Sequence, residues 1–190
     1  NLSFPALAAA KQSPQRLLFG PWTHGQQQLS YAGIAEFGSA AALDMPAIQI
    51  RWFDRWLKGE ANGAEADPPV RVFVMGGGDG HKTREGRIFV GGHWRDEDAW
   101  PLPGAAPTPF YLHAGGGLSR EAPGAAAPTS YRFDPKRPVP TIGGNISAQR
   151  DRMLAGAQSQ GCRRERGPCE DDRPRAERPD VLVFQTEPLL

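Results

Sequence analysis

Hydrophobic and polar positions fall into two rhythms along this chain. Its first third carries helical spacing around one short apolar run. From Ala6 to Gln12 good helix formers follow Ser3 and Pro5, which predicts a short helix with Ser3 as N-cap and the proline in its first turn. Arg16 to Phe19 is a buried-type apolar run that predicts a strand, and it enters a Gly20-Pro21 turn. The stretch DMPAIQIRWFDRWLKG places Ile48, Trp52 and Trp56 four residues apart, and Leu57 completes one apolar face. Asp44 or a neighbour caps this second helix, Pro46 lies in its first turn, Lys58 lies in its last, and Gly59 supplies a left-handed C-cap. Each apolar side chain buried there should contribute about 1.5–3 kcal/mol, so the helix is expected to act as a docking element.

The rhythm changes at GEANGAEADPPV, residues 59–70, which reads as a linker ending in a Pro-Pro strand entry and marks a domain boundary. Beyond it come VRVFVM (70–75), GRIFVGG (86–92), TPFYLHAG (108–115), TSYRFDP (129–135) and PDVLVFQTEP (179–188). Each is rich in β-branched or aromatic residues and bounded by Gly, Pro or Asp. Such runs, widely spaced, predict an antiparallel β-sandwich with long loops, and the polar segment 143–178 predicts an irregular excursion.

The 190 residues suit one domain or one and a half. With 22 Lys+Arg against 21 Asp+Glu, no unbalanced charge is available to recruit nucleic acid or an anionic membrane surface. No apolar window approaches the roughly 18 residues of a spanning helix, and the first residues lack a signal-peptide pattern. Cys162 and Cys169 match no zinc spacing, and two free thiols in a cytosolic protein fit them better than a disulfide.

Candidate chemistry thins quickly under inspection. GGGDGHKT (76–83) is not a phosphate loop, because His81 separates the last glycine from the lysine and no helix pattern follows; it reads as a hairpin loop. His81, His93 and His113 read as loop or strand-edge positions, and without HxxxH or HExxH pairs no metal site is expected. Asp54 reads as half of a helix-surface ion pair with Lys58 or Arg51, and WRDEDAW (94–100) as a solvated turn between two tryptophans rather than a calcium site. His24 differs in kind. It stands just beyond the carboxyl end of a short strand, on a loop stiffened by Pro21 and backed by Trp22, where open α/β sheets carry their chemistry.

LLFGPWTHG, IQIRWFDRWLKG, VRVFVMGG, WRDEDAWPLP, FYLHAGGGLS, YRFDPKRPVPTIGG and RPDVLVFQTEPL, taken in order from about residue 16 to 190, resemble the CocE/NonD-type serine hydrolase family of cocaine esterase and X-Pro dipeptidyl peptidase. The resemblance implies an α/β plus β fold class, with the end of an α/β-hydrolase domain over 1–67 and the first part of a galactose-binding-like jelly-roll β-sandwich over 68–190. It implies that His24 is the triad base, that Trp94 and Trp100 pack against the hydrolase part, that no cofactor is needed, and that the substrate is a small ester or peptide. A homo-oligomer is compatible with it.

A triad base takes the nucleophile's proton and returns it to the leaving group, while a carboxylate on its other nitrogen fixes the tautomer. In α/β-hydrolases nucleophile and acid precede the histidine. Here the 23 residues before His24 contain no Asp or Glu, and the chain has no G-x-S-x-G elbow; Ser3, Ser13 and Ser30 lack that setting. The nucleophile, the acid, the oxyanion hole and the cap are therefore expected upstream of Asn1, and the chain alone is expected to be inert. The alternative is a non-catalytic β-sandwich module that binds carbohydrate or a protein partner.

Overall fold

The computed structural model describes residues 3–10, 13–139, 155–158 and 175–188. These fall into two compact units, Asn1–Ala105 with Gly143–Gln158, and Ala106–Ile142 with Ser159–Leu190. Cys162 and Cys169 lie outside the described residues.

The first unit begins with helix α1 (Ser3–Ala10), in which Ser3 is the first helical residue rather than the residue before it. Strand β1 (Leu17–Phe19) follows, then the short antiparallel pair β2 (Tyr31–Ala32) and β3 (Ala35–Glu36), and then helix α2 (Met45–Lys58). The helix ends are set as their chemistry requires. The Asp44 carboxylate accepts from the Ala47 N–H at 3.0 Å, Pro46 occupies the first turn, and Gly59 closes the C-terminus at φ +77°. Strand β4 (Val70–Met75) then returns parallel to β1, with Leu17, Leu18 and Phe19 opposite Val70, Arg71 and Val72. A parallel return needs a crossover, and α2 lies within it. Residues on both sides of position 67, the expected domain boundary, thus share one sheet.

Strand β5 (Ile88–Phe89) pairs with β3, and β6 (Gly92–Glu97) pairs antiparallel with β4 from Val70 opposite Glu97 to Met75 opposite Gly92. The result is two three-stranded sheets, β1-β4-β6 and β2-β3-β5. One core cluster joins Leu17, Val70 and Val72, with Phe4, Val74 and Trp100 packed against it. A second joins Ala32, Ala35, Phe37, Ala41 and Phe73, with Val90 and Trp94 at its margin.

Several sequence expectations are corrected here. WRDEDAW is not a turn: residues 94–97 continue β6, and Asp96 faces Arg71 across the strands with hydrogen bonds of 2.5 and 2.6 Å. Opposite charges directly across a ladder favour pairing, so acids that read as a turn signal here hold an edge strand. Arg71 keeps the Asp96 carboxyl below the usual carboxylate range. Residues 59–70 are not a loose linker. The Asn62 amide donates to the Arg51 carbonyl at 2.7 Å and accepts from the Ala64 N–H at 3.1 Å, while Asp67 accepts from both Arg16 and Arg51 at 2.5 Å. The α2 face is also less covered than expected. No residue of the helix is buried, and Leu57 is 78% exposed. Ile48, Trp52 and Phe53 line a cavity of about 390 Å³ shared with Arg16 and Leu18, because the described residues lay only the β1 segment against this face.

The second unit contains the hairpin β7 (Tyr111–Leu112) and β8 (Leu118–Ser119), with a single bridge from Gly117 to Gln185. The runs 129–135 and 179–188 do not form ladders among the described residues, and Phe133 is 64% exposed. β-propensity alone supplies no partner strand, and of the second run only Gln185 is paired to the hairpin, through backbone bonds with Gly116 and Leu118. The architecture is that of a sheet-rich chain with mixed parallel and antiparallel pairing.

Candidate functional site

The motif around His24 has a physical logic that begins at Gly20. A Cβ there would lie 2.2 to 2.4 Å from three carbons of the Trp22 six-membered ring, so only glycine lets the indole fold back against the backbone. Pro21 fixes the turn between them. Folded back in this way, Trp22 donates from Nε1 to the Ala41 carbonyl at 2.6 Å and packs its ring on Trp94, with centroids 5.7 Å apart. Trp94 in turn donates from Nε1 to the Ala40 carbonyl at 2.7 Å and meets Phe73 edge-on at 5.1 Å. Two indoles, one on each side of the chain position where the sheet closes, thus clamp the short turn Ser39–Ala41.

His24 follows two residues after Trp22, in a turn over His24–Gly25. The turn is closed by the Gln26 N–H donating to the Thr23 carbonyl at 3.2 Å and the Thr23 hydroxyl donating to Gln26 Oε1 at 2.6 Å. The imidazole is exposed. A groove of about 650 Å³ starts at the next residue, Gly25, and runs past Gln27 and Gln28 to Leu43 and the start of α2; His24 itself does not line it. Among the described residues no carboxylate hydrogen-bonds His24, and no serine stands in a nucleophile elbow. The arrangement presents an imidazole on a braced loop, able to exchange a proton with a group brought to it.

The other candidates resolve as ordinary structure. Asp54 pairs with Lys58 at 2.5 Å one helical turn on, and that hydrogen bond, with the carboxylate's charge, raises the lysine pKa. Arg51 turns instead to Asp67. His81 is an exposed loop residue whose Nδ1 lies 2.5 Å from Asp79, and whose backbone N–H and ring hold that carboxyl low. His93 is exposed on β6 opposite Val74, and His113 meets the Ser119 hydroxyl at 2.8 Å. Among the described residues no three His, Cys, Asp or Glu side chains converge on a common point. The two tryptophans of 94–100 pack on the early chain as expected, Trp94 on Trp22 and Trp100 on Phe19 at 5.3 Å.

Two features escaped the sequence reading. Asp67 bridges the start of β1 to α2 through Arg16 and Arg51; burial is the largest single influence and opposes its ionisation, but the Arg51 hydrogen bond and the charges of Arg16, Arg51 and Arg71 outweigh it and lower its pKa. An acid immediately before Pro68-Pro69 was the available signal. The Trp22–Trp94 clamp was the second, signalled only by glycine placed two residues before a tryptophan.

Residues 62–190 match the family described as the X-Pro dipeptidyl-peptidase C-terminal non-catalytic domain. Cocaine esterase of Rhodococcus sp. is 33% identical over 195 aligned residues, which cover 96% of this chain and 29% of that protein. The crystal structure of a CocE/NonD family hydrolase from Staphylococcus aureus aligns with a TM-score of 0.36 at 22% identity, over 58% of this chain and 21% of that one. The chain therefore spans less than a third of the length of either relative. With the family match running over most of its length, the chain belongs to the X-Pro dipeptidyl-peptidase C-terminal non-catalytic domain family.

Proposed function

We propose that this chain is part of a serine hydrolase that cleaves ester or amide bonds through an acyl-enzyme, with His24 as general base and then general acid. The observation that carries the reading is the placement of His24, exposed on a braced loop just past a parallel strand, with its neighbour Gly25 lining a groove. The likeness to cocaine esterase across nearly the whole chain supports it, and favours an ester over an X-Pro peptide as substrate. The nucleophile and the acid come from polypeptide preceding Asn1. Residues 1–67 close an α/β-hydrolase domain and 68–190 begin a jelly-roll sandwich. The uncovered apolar face of α2 suits a helix that belongs to a larger hydrolase domain.

The chemistry assigns the imidazole two proton transfers. It accepts the serine proton as the hydroxyl attacks the acyl carbon, and it donates that proton to the departing alcohol or amine; it then repeats the exchange with water. The test is to label the full-length protein that carries this chain with a fluorophosphonate and locate the adduct by peptide mass spectrometry. A serine upstream of Asn1 is expected; an adduct on Ser13 or Ser30, or none in an enzyme that still hydrolyses esters, contradicts the reading.

The match to a family described as non-catalytic favours a second reading for residues 62–190, a β-sandwich module that binds a carbohydrate or protein partner. Under it the full-length protein would show no esterase turnover and no phosphonate adduct.

A further inference from the structure

We propose that Trp94, although it lies within the region matched by a non-catalytic family, is a positioning residue for His24, acting through Trp22. The inference rests on the reading of His24 as a general base. Trp94 is anchored on two sides: opposite Phe73 in the β4–β6 register, with rings 5.1 Å apart, and by its indole N–H to the Ala40 carbonyl at 2.7 Å. Its remaining contact face meets Trp22 at 5.7 Å, and Trp22 bonds the next carbonyl along, Ala41, at 2.6 Å.

The two indole N–H groups therefore grip successive carbonyls of one short turn while their rings pack against each other at a tilt of 46°. A displacement of Trp94 removes the ring that supports Trp22 and leaves its indole held by the Ala41 bond. Trp22 is separated from His24 by Thr23 alone; the turn beyond is closed by the Thr23–Gln26 hydrogen bonds, and the loop is next pinned at Gln27, whose carbonyl accepts from the Leu43 N–H at 2.8 Å. On the N-terminal side of His24 the loop's attachment to the sheet therefore runs through Trp22, and the sheet's side of that attachment is Trp94. Phe37, packed edge-on against Phe73 at 6.1 Å, extends the same aromatic column into the buried cluster.

A base that must reach a hydroxyl within hydrogen-bond distance loses rate steeply when displaced, on the order of a hundredfold for about 1 Å. Substrate binding in a groove away from the indoles should hardly change. The experiment compares nitrophenyl-ester kinetics of the full-length wild-type protein with Trp94→Leu, which removes both the ring and the N–H, and Trp94→Phe, which keeps a ring against Trp22. Trp94→Leu is expected to lower kcat by roughly ten- to a hundredfold with KM within about threefold, and Trp94→Phe to recover most of that loss but stay about two- to fivefold below wild type.

A kcat for Trp94→Leu within twofold of wild type overturns the proposal, as does a loss carried entirely by KM. Should Trp94→Leu fail to fold, Trp94→Phe decides alone: the small kcat deficit with unchanged KM supports the proposal, and a wild-type kcat overturns it. His24→Ala run alongside separates the two levels. If that variant is inactive while the Trp94 variants are normal, the positioning role fails and the base stands. If His24→Ala retains turnover, both fall.

Discussion

Replacing Gly20 with alanine isolates the contact on which the histidine loop depends. At an unstrained, roomy position this substitution stabilises a protein by about 0.4–1 kcal/mol, because it restricts the unfolded chain. Here the new Cβ would sit 2.2 Å from the nearest Trp22 ring carbon, and the ring must leave. Departure forfeits the tilted Trp22–Trp94 ring contact, about 0.5–1.5 kcal/mol, and the indole bond to Ala41, about 0.5–1.5 kcal/mol. Set against the unfolded-state gain, the net is a destabilisation of about 1–2 kcal/mol, opposite in sign to the default. Urea unfolding followed by near-ultraviolet circular dichroism reads it directly, since the same indoles report on the packing. In a Trp22→Leu background the obstructing ring is gone, so Gly20→Ala should become neutral or mildly stabilising, and the double-mutant cycle should show coupling of about 1–3 kcal/mol. Equal effects of Gly20→Ala in the two backgrounds would refute the claim that the glycine exists to admit the tryptophan.

Asp67→Asn should destabilise by about 1–3 kcal/mol, the discounted cost of unpairing charges that are largely but not fully buried, because the Arg16 side chain is 16% exposed and its Nε already lacks a hydrogen-bond partner among the described residues. The Asp67 pKa is lowered by folding, so its contribution is complete above the ordinary carboxylate value of about 4 and disappears as pH falls through the lower folded value; the gap between wild type and Asp67→Asn in thermal scans should hold from pH 7 to about 4 and close below that. A gap that widens on acidification would contradict the pairing. Asp44→Ala removes the N-cap of α2 and should cost about 1 kcal/mol in urea unfolding monitored by far-ultraviolet dichroism. A change below about 0.3 kcal/mol would show that the cap bond is idle.

What could be read from the sequence was what is decided locally. Asp44, Pro46 and Gly59 fix the ends of α2 within a few residues of chain, and β1 is a continuous apolar run and β4 one broken only by Arg71, so these elements were legible. Strand β6 was not, because its outward charges are stabilised by Arg71, a partner 25 residues away in Asp96's case, and nothing local distinguishes that strand from a turn. The runs at 129–135 and 179–188 failed in the opposite direction, since strand preference alone supplies no neighbour to pair with. The docking role given to α2 assumed that an apolar face implies a covering surface, and the described residues supply only part of one.

At the candidate site, the exposure and loop setting of His24 followed from a strand running into Gly20-Pro21. Its brace did not, because Trp22 and Trp94 are joined only once β6 pairs with β4. The pinning of residues 59–70 was likewise hidden, since Asp67 draws its partners from Arg16 and Arg51, in two separate earlier elements.

The most direct test of the account is single-turnover hydrolysis of a nitrophenyl ester by the full-length protein that carries this chain, wild type against His24→Ala. A general base that activates the nucleophile predicts a fall in the acylation rate of about a thousandfold or more, with substrate binding little changed. Acylation within threefold of wild type in a folded His24→Ala protein would contradict the role assigned to this histidine.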